Sequence, residues 1–221
     1  MLKELFAIFK EGDLYSQALD ESYAMLDISQ KMFLASVESL RRSDSAEVDL
    51  DIYAADKKIN AFERDVRRKV MTHLAISGKA ELTSGLVLVS IVVDIERVGD
   101  YSKNIYDLAV HHPAKLLAGS LEEDVTAVEA RVKEMLDRAI FCFKNADQKL
   151  ARQLMTEYKE AVSKRCDELT FDLVEGKHPD IETPDQVTVA LYLRFLKRIG
   201  AHSRNMITSV VNPFERIGYP E

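Results

Sequence analysis

The sequence predicts an all-α fold: two tandem antiparallel three-helix bundles, made of six long helices and related by an internal pseudo-repeat. Glycine and proline are scarce, at 8 and 5 of 221 residues, so few positions interrupt a long element. Hydrophobic residues make up 47% of the chain and charged residues 30%, a balance typical of helices that bury one face and solvate the other. Apolar residues recur every three or four positions, which is the helical period.

Six helical segments follow from this period and from the signals between them. They run from about 14 to 42, 46 to 76, 80 to 111, 120 to 144, 147 to 175 and 185 to 211. Gly78 and Gly176 are helix stops, since glycine adopts the left-handed conformation that ends many helices. The β-branched run Leu86–Val93 has helical periodicity on both sides, so it predicts a buried helix and not a strand.

Two helix starts and one connection depend on short local patterns. Asp44 with Glu47, and Ser120 with Glu123, have the spacing of a capping box, which predicts helices beginning next to each pair. Residues 145–147 predict either a turn or a kink between the fourth and fifth helices. Short connections of this kind make consecutive helices antiparallel neighbours.

The chain divides into a first bundle, residues 1–115, and a second bundle, residues 116–221. The third helix of each half contains a related segment, 96–105 in the first and 197–206 in the second. Arginine, glycine, serine and asparagine coincide in the two segments. Each has a glycine in mid-helix, where glycine costs about 1 kcal/mol relative to alanine. These glycines predict close helix–helix approach, and the repeat predicts a duplicated bundle.

Acidic and amide side chains line one face of the third helix and one face of the second. Glu96, Asp100 and Asn104 are spaced i, i+4, i+8, and Asp56 and Glu63 form a similar stripe. If the two helices are antiparallel, the stripes lie side by side. We call these five residues the carboxylate row. Oxygen donors from two helices suit a hard metal cation.

An alternative reading of the carboxylate row stays open at this point. Surface helices are rich in carboxylates, and Arg97 or Lys103 can neutralise these without a metal. The row contains no Glu-x-x-His pair, which argues against a di-iron oxidase site. His202 stands near the corresponding face of the sixth helix, and with no histidine or carboxylate four residues away it is expected to be solvated or a helix cap.

Composition and motifs exclude several classes of protein. The net charge of −7 and the pI of about 5.4 argue against nucleic-acid binding. No apolar run reaches the roughly 20 residues of a membrane span, and residues 1–10 are too short and too charged for a signal peptide. Cys142 and Cys166 have no metal-ligand spacing and predict packed, reduced thiols. No nucleotide-binding loop, nucleophile elbow or zinc-protease motif is present, so no enzyme is predicted.

The segment Asp94–Asp100, followed by Asn104 and Ile105, resembles the ERIGD-type signature of the PhoU family. A partial second copy lies at residues 198–200 with Asn205, and the six-helix organisation is similar over nearly the whole chain. The resemblance implies cytoplasmic, often dimeric regulators that damp phosphate uptake. It also implies protein partners, namely a phosphate transporter, a sensor histidine kinase, or both, with the membrane reached only through them.

The resemblance further implies iron or zinc, bound once per bundle by acidic motifs. When the acidic motif of the family is carried over to this sequence, the metal ligands of the first bundle are Glu96 and Asp100. Asp56, Glu63 and Asn104 are further candidate ligands beside them. Two other functions stay open on the sequence alone. One is a metal- or phosphate-binding sensor or storage protein, and the other is an accessory of a phosphate or related anion permease.

The second bundle departs from the family pattern. Lys197 and Ala201 replace the acidic residues of the motif, and Lys164 stands where the first bundle has an asparagine. Glu160 and Asp167 keep the spacing of Asp56 and Glu63. We therefore predict that the two lysines pair with these two carboxylates, and that at most the first bundle has an intact metal site.

Overall fold

The computed structural model describes residues 13–77 and 81–219. Within them six long helices follow one another, and no strand is present. They are α1 (Leu14–Arg42), α2 (Ile52–Ser77), α3 (Leu82–His111), α4 (Glu122–Asn145), α5 (residues 148–174) and α6 (Thr183–Val211). Helix α5 consists of three consecutive segments, Gln148–Tyr158, Lys159–Lys164 and Arg165–Val174. The middle segment of α5 is a π-helix. The charged segment 1–10 and the stop at Gly78 lie outside the described residues.

The second helix begins later than the capping-box spacing predicts. The Ala54 amide donates to Asp51 Oδ1 at 2.9 Å, so Asp51 supplies the acceptor for the first turn of α2. The predicted start beside Asp44 and Glu47 is therefore wrong, because α2 begins at Ile52, nearly two turns later. Residues 43–51 form a loop instead.

The helix start predicted beside Ser120 is confirmed, since α4 begins at Glu122, but the capping box itself is wrong. Ser120 lies in the short 3-10 turn Gly119–Leu121, and its side chain does not cap α4. Its hydroxyl donates to Asp180 Oδ1 at 2.9 Å and lies 2.9 Å from His178 Nδ1. Both partners belong to the α5–α6 loop, so Ser120 ties two loops together.

A tight turn, and not a kink, joins α4 to α5. Ala146 has a φ of 49°, the left-handed conformation that ends a helix. The next residue, Asp147, accepts a hydrogen bond from the Leu150 amide at 3.0 Å and so caps α5. The alternative left open for residues 145–147 is thereby decided.

The predicted pair of antiparallel three-helix bundles is confirmed. Helices α1–α3 form the first bundle and α4–α6 the second, and the bundles meet mainly where α3 packs against α6. One continuous apolar core runs through both. The run Leu86–Val93 is helical as predicted, and Ile91 and Val92 are fully buried. None of the helices in the described ranges is long and apolar enough to cross a bilayer.

The mid-helix glycines lie at close helix contacts, as predicted. A Cβ added to Gly99 would lie 2.7 Å from Ile59 Cδ1, so the backbone of α3 runs close to α2. A Cβ added to Gly200 would lie 3.0 Å from the Tyr158 ring and 3.3 Å from Val162 Cγ1. The repeat therefore preserves one packing feature, the approach of the third helix of each bundle to the second.

A buried ionic cluster also joins the bundles. Glu129 of α4, only 6% exposed, accepts a hydrogen bond from Tyr192 Oη at 2.9 Å and lies 2.5 Å from Arg42 Nη2. Arg41 Nε is 3.5 Å from the same carboxylate, and the Arg41 guanidinium also bonds Glu122. We call Arg41, Arg42, Glu129 and Tyr192 the Glu129 cluster. Burial and the Glu129 charge raise the pKa of the Tyr192 phenol, which therefore stays protonated and donates.

Candidate functional site

The carboxylate row lies where α2 and α3 pack side by side. Lys103 of α3 connects the two aspartates of the row, since its ammonium is 2.9 Å from Asp56 Oδ1 and 3.2 Å from Asp100 Oδ1. Asn104 follows Lys103 and is partly buried. The antiparallel pairing of the two stripes, expected from their spacing, is therefore the arrangement in the structure.

The other end of the row is strongly acidic. Burial and the carboxylates of Asp100 and Glu63 together raise the pKa of Glu96 to about 7, and Arg97 opposes the shift. Arg97 lies 3.5 Å from Glu96 Oε2 and 3.0 Å from Asp100 Oδ2. Arg67 lies 2.9 Å from Glu63 Oε1. The neighbouring arginines thus only partly offset the negative charge around Glu96.

The chemistry of the row fits a metal ion, although another cation already contacts it. Carboxylate and amide oxygens are suitable ligands for iron, and zinc also takes carboxylates. Among residues 13–77 and 81–219, no three histidine, cysteine, aspartate or glutamate side chains converge as metal ligands. Lys103 holds Asp56 and Asp100 together, so a metal on these two carboxylates competes with its ammonium.

The sequence model of the PhoU domain matches residues 23–109 and again residues 126–218. The chain belongs to the PhoU family. Each match covers most of one bundle, and the first contains the whole carboxylate row.

Relatives of this PhoU-family chain match it along most of its length. An uncharacterized protein of Methanocaldococcus jannaschii is 25% identical over 98% of this chain and 73% of its own length. The phosphate-specific transport system accessory protein PhoU homolog of Pseudomonas aeruginosa is 26% identical over 85% of this chain and 78% of its own. The crystal structure of PhoU from Pseudomonas aeruginosa superposes with a TM-score of 0.78 at 22% identity, covering 90% of this chain and 95% of that one. The superposition shows that the two share a fold.

The second bundle of this PhoU-family chain has ion pairs in the positions of the row. The Lys197 ammonium lies 2.6 Å and 2.5 Å from the two carboxylate oxygens of Asp167. Lys164 Nζ lies 3.8 Å from Glu160 Oε2. Both pairings predicted from the substitutions are confirmed. A lysine in each pair supplies the positive charge that a metal ion would otherwise bring.

Sequence reasoning missed a polar cluster between α3 and α6. Asp94 Oδ1 lies 2.7 Å from His202 Nδ1 and accepts a hydrogen bond from Asn205 Nδ2 at 3.1 Å. His202 stacks on Tyr101 with ring centroids 5.7 Å apart, and Arg198 Nε donates to Tyr101 Oη at 3.2 Å. We call these five residues the Asp94 cluster. It joins the helix that carries the row to the second bundle.

The expected role of His202 is therefore wrong. The residue is 9% exposed and is neither solvated nor a cap. Arg198 Nη2 is 3.3 Å from His202 Nε2; because arginine can only donate, Nε2 accepts and the ring proton is on Nδ1, facing Asp94. The partner is 108 residues away in sequence, so spacing within one helix could not reveal it. The sequence feature that could have indicated this contact is Asp94 itself, a charged residue immediately after the apolar run Leu86–Val93.

Proposed function

We propose that this PhoU-family chain is a non-enzymatic regulator of phosphate uptake or phosphate signalling that acts by binding proteins. The observation that carries the proposal is the PhoU domain match in both bundles. Relatives named as accessory proteins of the phosphate-specific transport system support it. The partners are the phosphate transporter, a sensor histidine kinase, or both. The chain acts in the cytoplasm as a homodimer and meets the membrane through these partners.

The state of the two thiols agrees with a non-enzymatic role. Cys142 and Cys166 are both free and buried. Burial raises the pKa of each thiol to about 12. At neutral pH neither is a thiolate, the form in which cysteine acts as a nucleophile.

The regulatory role predicts a change in phosphate uptake. Deleting the coding sequence in the host organism should raise uptake during growth in phosphate-rich medium, because a damping component is lost. Uptake of radiolabelled phosphate measures this, and expression of the wild-type chain from a plasmid should restore the lower rate. Unchanged uptake, together with unchanged expression of phosphate-starvation genes, would contradict the proposal.

Within this proposal the carboxylate row holds iron or zinc, which would neutralise the acidic face of the first bundle. Protein incubated with Zn²⁺ or Fe²⁺ and then desalted should retain about one ion per chain. Glu96→Gln combined with Asp100→Asn should abolish retention, because both substitutions remove charged donors. Elemental analysis measures the metal, and circular dichroism checks that helicity is unchanged.

Lys103→Met provides the matched variant for the metal prediction. It removes the ammonium that contacts Asp56 and Asp100, so it should strengthen metal retention or leave it intact. The substitution conserves side-chain length and therefore most of the packing. If the wild-type chain and the Glu96→Gln/Asp100→Asn variant retain the same trace of metal, the row is an ion-paired surface and not a metal site.

A further inference from the structure

A basic pocket opens beside α5 and α6 in the second bundle. Its volume is about 720 Å³. Three cationic side chains, Arg152, Lys159 and Arg204, and two hydroxyl side chains, Thr156 and Ser163, line it. We call this cavity the basic pocket. Met155 adds an apolar wall.

The π-helical segment of α5 forms part of this pocket. Lys159 is its first residue, and Ser163 lies one residue before its end. A π-helix makes i→i+5 hydrogen bonds and widens the turn, and such segments occur frequently at functional sites. The segment lies close to α6, since a Cβ on Gly200 would meet Tyr158 and Val162. Irregular backbone, cations and hydroxyl groups thus coincide at one place.

The repeat explains why the pocket is basic. Arg204 is the counterpart of Lys103, which in the first bundle contacts two aspartates. In the second bundle the counterpart of Asp100 is Ala201, so one of these carboxylates is missing. Arg204 lies over the Tyr158 ring instead, 5.9 Å from its centroid. In the part of the chain that the structure describes, Arg204 has no carboxylate within ion-pair distance.

The charge balance of the lining also favours an anion. Arg152, Lys159 and Arg204 line the pocket together with a single carboxylate, Glu160. Glu160 is itself 3.8 Å from Lys164 Nζ. The net positive lining therefore contrasts with the acidic row at the corresponding face of the first bundle, in a protein whose total charge is −7.

We propose that the basic pocket binds a phosphorylated small molecule. The planar guanidinium of Arg204 matches two phosphoryl oxygens, and Lys159 adds a point charge. The Thr156 hydroxyl donates to the Arg152 carbonyl oxygen at 3.1 Å; on ligand binding it rotates and, with the Ser163 hydroxyl, donates to the remaining phosphoryl oxygens. The volume is in the range of pockets for drug-sized ligands and exceeds what one inorganic phosphate fills, so the ligand is an organic phosphate whose apolar part lies against Met155.

Binding of ATP and of inorganic phosphate to the full chain tests this site. Isothermal titration calorimetry measures the binding, in a buffer with EDTA that keeps the first bundle free of metal. The result therefore does not depend on the metal proposal or on phosphate uptake. We expect saturable ATP binding, tighter than that of inorganic phosphate. Arg204→Gln and Lys159→Gln should each weaken it by about tenfold or more, the loss typical of one charge-assisted contact.

Arg194→Gln is the control, since Arg194 is an exposed cation on α6 that does not line the pocket. Its ATP affinity should match that of the wild type. Equal weakening by all three substitutions would reduce the effect to general charge and overturn the site. Absence of saturable binding by either probe would also overturn it. Equal affinity for the two probes would overturn the assignment to an organic phosphate.

Discussion

Glu129→Ala should lower the free energy of unfolding by about 3 to 5 kcal/mol, because it leaves buried charge and a buried donor without their partner. The Arg41 side chain is only 4% exposed and keeps one other carboxylate, Glu122. Tyr192 is completely buried and loses the acceptor of its hydroxyl group. Urea unfolding followed by circular dichroism measures the change.

Two substitutions make this measurement specific. Glu134→Ala, also on α4, removes only exposed ion pairs with Arg131 and Arg138 and should cost less than about 1 kcal/mol. Glu129→Gln keeps an acceptor for Tyr192 but removes the charge. Its loss of unfolding free energy should therefore lie between those of Glu134→Ala and Glu129→Ala. If Glu129→Ala were no more destabilising than Glu134→Ala, the Glu129 cluster would not hold the bundles together.

Asp94→Ala should destabilise the protein by about 2 to 3 kcal/mol. The carboxylate accepts from both His202 and Asn205, and its removal leaves two partly or fully buried donors unpaired. The loss of stability should be concentrated at the contact between α3 and α6, which the Asp94 cluster spans. Hydrogen exchange measured on the native protein should therefore show faster exchange in these two helices than in α2.

Asp107→Ala is the matched control on the same helix. Asp107 accepts a hydrogen bond from the exposed Tyr53 hydroxyl at 2.7 Å, so its removal leaves a group that water can satisfy. It should cost less than about 1 kcal/mol. Equal effects of Asp94→Ala and Asp107→Ala, or faster exchange confined to other helices, would contradict the role assigned to the Asp94 cluster.

Both clusters bear on function because they set how the two bundles lie against each other. The carboxylate row is shared by α2 and α3, and the basic pocket by α5 and α6. Asp94 is two residues before Glu96 of the row, and His202 is two residues before Arg204 of the pocket. The contact between α3 and α6 therefore joins the candidate cation site to the proposed anion site.

Features that depend on local sequence were predicted well. The helical period placed all six helices, and Gly99 and Gly200 marked the close contacts. The replacement of acidic residues by Lys164 and Lys197 predicted the ion pairs of the second bundle. Helix starts were less reliable, because several polar residues compete to cap the same turn. At the second helix Asp51 fills this role, although Asp44 has the more recognisable spacing.

The fold class, the duplication, the membership of the PhoU family and the residues of the carboxylate row all follow from the amino-acid sequence. Other features became visible in the packed helices: Lys103 contacts that row, Asp94 pairs with His202, Glu129 joins the bundles, and Arg204 lines a pocket. The physical reason is the range of the interactions. Periodicity and spacing act within one helix, whereas these contacts depend on the rotation and register of helices that pack together from distant parts of the chain.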